Sequence, residues 1–120
     1  MMKRSDTTHG FTLIEIIIAI FILTVAFAGI FAVTSMVINS NALGREITTA
    51  MTITQNRLEE LKKTPYANLS GGSQIQSIYT TRWTVTPNTP QINMSRVEVV
   101  TTWVRSGKTH NTTLKLIIAR

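Results

Sequence analysis

Residues 10–38 read GFTLIEIIIAIFILTVAFAGIFAVTSMVI, and Glu15 is the one ionisable side chain among them. From Ile16 to Ile38 no charge occurs at all. At about 1.5 Å per residue, that stretch as an α-helix reaches roughly 35 Å, enough for a hydrocarbon core of about 30 Å. Apolar residues fall on every face, unlike a surface helix with one buried stripe. The segment therefore predicts a transmembrane helix. Lys3 and Arg4 precede it, which places the N-terminus in the cytoplasm and the following residues outside. A secretory signal has an apolar region of about 7–15 residues before its cleavage site. Here the apolar run is far longer, and the small-x-small triplet Ser40-Asn41-Ala42 comes too late.

Past Asn39 the pattern changes. Leu43, Ile47, Ala50, Met51, Thr54, Leu58 and Leu61 recur at steps of three and four, which is one apolar stripe on a helix. Arg45, Glu46, Arg57, Glu59, Glu60, Lys62 and Lys63 are expected mostly off that stripe. Pro65 stops the helix, so one helix is expected from Phe11 to Lys63. Residues 68–73, with Gly71-Gly72, read as a loop. Ile75, Tyr79, Thr81, Trp83 and Val85 then alternate with Ile78, Thr80, Arg82 and Thr84, predicting one strand. Pro87 to Pro90 is a turn. Val97, Val99, Thr101 and Trp103 share a face of the next strand, Ser106-Gly107-Lys108 forms a hairpin loop, and Thr112, Leu114, Leu116 and Ile118 share a face of the last. The expected fold is α+β: an antiparallel meander of three or four strands on the amphipathic half of the helix, with Trp83 and Trp103 filling the interface.

Composition narrows the function. The chain has 120 residues, a formal net charge of +6 and no cysteine. Disulfides and thiolate zinc sites are thereby excluded. The basic residues are scattered, which suits contact with anionic surfaces without marking a nucleic-acid groove. Asp6 is the single aspartate, and only Glu59 and Glu60 are adjacent among the glutamates. Adjacent helical residues point apart. His9 and His110 are far separated, and one histidine makes neither a metal site nor a triad. No catalytic constellation, metal or cofactor is expected, so the chain does not read as an enzyme.

The boundary Gly10-Phe11-Thr12-Leu13-Ile14-Glu15, following a short basic leader and opening an uninterrupted apolar helix, resembles the processing site of type IV prepilins and type II secretion pseudopilins. The resemblance implies the pilin fold. It implies cleavage by a prepilin peptidase between Gly10 and Phe11, N-methylation of Phe11, and pairing of Glu15 with the N-terminal amine of a neighbouring subunit. It divides the chain into a leader at 1–10, a transmembrane and filament-core helix at 11–38, and a domain at 39–120. Many major pilins have a kinking proline where Ala32 stands, and a C-terminal disulfide; both are missing here. Ala50 to Leu69 is similar to the pilus-modification (V-type) minor pilins and to the I-type minor pseudopilin, and Val97 to Arg120 favours the former. The implied function is that of a minor pilin that joins or primes a type IV pilus; the alternatives are a minor pseudopilin of type II secretion, or a DNA-binding minor pilin. Clustering of Arg82, Arg96, Arg105, Lys108 and Lys115 on one face would favour the last. Implied partners are the prepilin peptidase, other pilin or pseudopilin subunits, an inner-membrane assembly platform and the lipid bilayer. The implied location is the inner membrane, single-pass, then a pilus at the cell surface or a periplasmic pseudopilus.

Overall fold

The computed structural model describes residues 10–120, so Lys3, Arg4, Asp6, His9 and the rest of the expected leader before Gly10 lie outside the described residues. One helix, α1, runs Leu13–Lys63. Four strands follow: β1 (Gly72–Gln76), β2 (Tyr79–Pro87), β3 (Met94–Arg105) and β4 (Lys108–Ala119). Two compact units result, the first ending at Asn41 and the second running Ala42–Arg120.

In the first unit every side chain from Phe11 to Asn41 is exposed, including Phe21, Phe27 and Phe31. The most apolar stretch of the helix, with a mean hydropathy of 3.0, has none of its residues buried within the chain. Two of its threonine hydroxyls, those of Thr24 and Thr34, are internally satisfied. Thr24 Oγ1 donates to the Ile20 carbonyl at 2.7 Å, and Thr34 Oγ1 to the Ile30 carbonyl at 2.8 Å. Such back-bonding keeps polar atoms off an apolar surface.

In the second unit the strands form one antiparallel sheet in the order β1-β2-β3-β4, a simple meander. Its core lies under β3, where Ser95, Val97, Val99, Thr101 and Trp103 are all buried, at the period of two that one covered face demands. The helix contributes Ala50, Thr54 and Leu61, spaced to lie along one stripe. Ala50 packs with Tyr79, Trp103 and Ile53; Leu61 packs with Val97 and Val99, flanked by Leu58, Leu69, Trp83, Val85 and Ile118. Both tryptophans therefore line the helix–sheet interface, Trp103 fully and Trp83 in part.

Three details differ from the sequence reading. Ile75 to Val85 is not one strand: the chain reverses at Ser77-Ile78, with Gln76 opposite Tyr79, and Ile75 is exposed. Ser77 takes φ 57°, the left-handed geometry of a two-residue hairpin turn, in a place usually held by glycine. Ile47, expected on the buried stripe, is exposed, while Glu46 and Arg57, expected off it, are half-buried. The other hairpin is tighter than expected: Lys108 pairs with Arg105, leaving Ser106 and Gly107 as the turn, both at positive φ.

Candidate functional site

The expected processing site sits at the start of the first unit. Gly10 and Phe11 precede the helix and are exposed, Phe11 to 84%. A Cβ on Gly10 would meet nothing within 4 Å. Thr12 begins the helical hydrogen bonding: its carbonyl accepts the amides of Glu15 at 3.1 Å and Ile16 at 3.2 Å. Its Oγ1 also accepts the Glu15 amide at 3.3 Å, while its own amide donates to Glu15 Oε2 at 3.2 Å. This reciprocal arrangement is a capping box, Thr12-Leu13-Ile14-Glu15. Glu15 is exposed, and Oε2 is the oxygen these bonds use, which leaves Oε1 open to a further donor. The helix N-terminus stabilises the carboxylate electrostatically as well. Thr12 went unnoticed in the sequence reading, although T-x-x-E before an apolar run is a legible signal for it.

The second unit holds two polar clusters between helix and sheet. In one, the Glu46 carboxylate accepts from Trp103 Nε1 at 3.1 Å and from Arg105 Nη1, while the Glu46 carbonyl accepts from the Tyr79 hydroxyl at 3.4 Å. The Trp103 ring also stacks on His110 with centroids 5.5 Å apart. Nothing in the periodicity marked Glu46; a lone acid one turn before the buried Ala50 was its only trace. The second cluster is made of hydroxyls. Thr54 Oγ1 lies 2.7 Å from both the Ala50 carbonyl and Thr101 Oγ1, and Thr101 Oγ1 lies 3.0 Å from Thr81 Oγ1. Thr54 has one hydrogen to give, and the carbonyl can only accept. Thr54 thus donates to Ala50, Thr101 to Thr54 and Thr81 to Thr101, and no buried side-chain polar atom is left without a partner among the described residues.

An open cleft of about 460 Å³ lies between α1 and the β1 side of the sheet, lined by Thr52, Asn56, Arg57, Gln74, Gln76 and their neighbours. No group of three His, Asp or Glu side chains able to hold a metal occurs among the described residues. The five basic residues do not form one patch. Register and alternation place Arg82, Arg96 and Lys115 on the outer face, where Lys115 pairs with Glu98 at 3.4 Å; Arg105 turns toward the helix to meet Glu46, and Lys108 sits opposite it at the hairpin.

Residues 7–31 match the family described as the prokaryotic N-terminal methylation motif. That stretch holds Gly10, Phe11, Thr12 and Glu15 together with more than half of the apolar run. Together with the α+β architecture of helix and four-stranded sheet, the match supports a type IV pilin-like, prepilin-like chain. The motif supports a structural subunit, pilin-like or pseudopilin. No curated protein and no solved structure matches the chain.

Proposed function

We propose that the chain is a minor pilin, cleaved between Gly10 and Phe11 by a prepilin peptidase, methylated at Phe11 and incorporated into a type IV pilus or used to prime one. The observation that carries this is the methylation motif opening a helix whose apolar stretch as far as Ile38 is exposed within the chain. Such a surface needs lipid or other helices around it. It sits first in the bilayer as a single-pass anchor with its N-terminus in the cytoplasm, and then in a bundle of like helices.

Processing changes the electrostatics of the helix start. Hydrolysis of the Gly10–Phe11 bond leaves a carboxylate on Gly10, which departs with the leader, and an ammonium on Phe11. Methylation keeps that positive charge. Glu15, costly in a bilayer by about 2.5–3.5 kcal/mol at mid-depth and less near the interface, then has a cation to meet on a neighbouring subunit, with Oε1 open to accept it. A buried pair of this kind adds little net stability, but either charge left alone is expensive. The pair therefore sets register.

Mass spectrometry of the protein isolated from its host is the test. A chain beginning at N-methyl-Phe11, recovered in filaments sheared from the cell surface, is the expected result. A chain retaining Gly10 would refute processing; a processed chain that never leaves the envelope would favour a minor pseudopilin of type II secretion. The DNA-binding alternative draws no support from the split placement of the basic residues.

A further inference from the structure

We infer that Thr12 is a positioning residue for cleavage at Gly10–Phe11, because its hydroxyl fixes where the helix begins; the inference rests on the reading of that bond as the peptidase's target. A peptidase must grip the backbone on both sides of the bond it cuts, and a helical peptide bond has those groups engaged in its own ladder. Extended, exposed backbone is where proteolysis concentrates. Here the first helical bonds end on the Thr12 carbonyl, and among the described residues none reaches Phe11 or Gly10. Helix α1 begins at Leu13, so the scissile bond lies just outside it, next to an N-cap that defines its direction.

The hydroxyl does this rather than the carboxylate of Glu15. Thr12 Oγ1 accepts the Glu15 backbone amide, a bond that survives loss of the Glu15 side chain. Removing the hydroxyl leaves that amide with the Thr12 carbonyl alone and takes away the side-chain cap that marks Thr12 as the helix start. The sequence then offers Thr8, Thr7 and Asp6 as the next residues with a capping side chain. A helix starting at any of them would run through Gly10–Phe11 and withdraw its backbone groups. The capping box thus separates two duties: Thr12 presents the bond for cleavage, and Glu15 serves assembly afterwards.

The experiment uses the full-length chain in membranes, with prepilin peptidase supplied, and follows the rate at which the leader is released. Alkaline extraction of each variant reports membrane insertion in parallel. Thr12→Val, similar in shape but unable to cap, is expected to insert normally and to be cut about five-fold more slowly, the factor that loss of a typical N-cap gives. Thr12→Ser, which keeps the hydroxyl, and Glu15→Ala, which keeps the Oγ1 bond, are both expected within about two-fold of the unaltered rate. Unchanged cleavage of Thr12→Val overturns the inference, and so does Thr12→Ser being as slow as Thr12→Val. If the unaltered chain itself is never cut after Gly10, the processing reading fails and takes this inference with it, an outcome visible without any variant.

Discussion

The threonine chain between helix and sheet makes a prediction whose sign depends on counting hydrogens. Thr54 and Thr101 are fully buried and Thr81 nearly so. Each gives its single hydroxyl hydrogen to the next acceptor, ending at the Ala50 carbonyl. Thr101→Val removes the acceptor used by Thr81 and strands one buried donor. An orphaned buried hydroxyl costs about 1–3 kcal/mol, so about 2 kcal/mol is expected. In a domain of this size about 1 kcal/mol moves the melting temperature by roughly 4–8 °C, giving a fall of roughly 8–16 °C. Thr81→Val alone strands nothing, because Thr101 still donates to Thr54; its expected cost is under about 1 kcal/mol. The decisive case is the double variant. Adding Thr81→Val to Thr101→Val removes the stranded donor, while Thr54 keeps its carbonyl, so the double variant should be more stable than Thr101→Val alone. Thermal unfolding of the full chain in detergent, followed by tryptophan fluorescence, reads all three, since Trp103 is buried beside this cluster. If the two losses simply add, the hydrogen-bond order assigned to the three hydroxyls is wrong.

Three further outcomes follow from neighbouring features. Glu46→Ala removes the partner of a buried indole N–H and of Arg105, and is expected to destabilise the second unit by about 2 kcal/mol in the same unfolding assay, with coupling to Arg105→Ala in a double-mutant cycle. Gly72→Ala places a Cβ 2.6 Å from Trp83 Cζ2, a ring tethered by Nε1 to the Ser70 carbonyl at 3.1 Å and covered by Arg57 at 4.4 Å; a loss of about 1–3 kcal/mol is expected, and an unchanged melting temperature would show that the ring yields freely. Glu15→Ala should insert and be cleaved as usual yet be depleted from sheared filaments, measured by immunoblot against unaltered protein; normal incorporation would remove Glu15 from assembly.

How much of this the sequence disclosed depends on whether a feature repeats. The helix, the buried face of β3 and the alternation of β4 were legible because many residues state the same period. The break at Ser77-Ile78 was hidden: a turn of this type is signalled by glycine or asparagine, and serine at positive φ leaves no such mark. The apolar residues on either side then joined into one apparent strand. Glu46 was missed for a related reason. A single acid on a helix reads as solvated until its partners, Trp103 and Arg105, are brought beside it from more than fifty positions away. At the N-terminus Gly10, Phe11 and Glu15 stood out as a motif, whereas Thr12 drew no notice because a hydroxyl residue before a helix is common.

Thr24 and Thr34, whose hydroxyls fold back onto Ile20 and Ile30, bear on how a greasy segment changes company. A side chain that settles its polarity with its own backbone asks nothing of the medium, whether that medium is acyl tails or a sheath of sister helices. At these two positions, then, a change from lipid to neighbouring helices would open no fresh hydrogen-bonding debt.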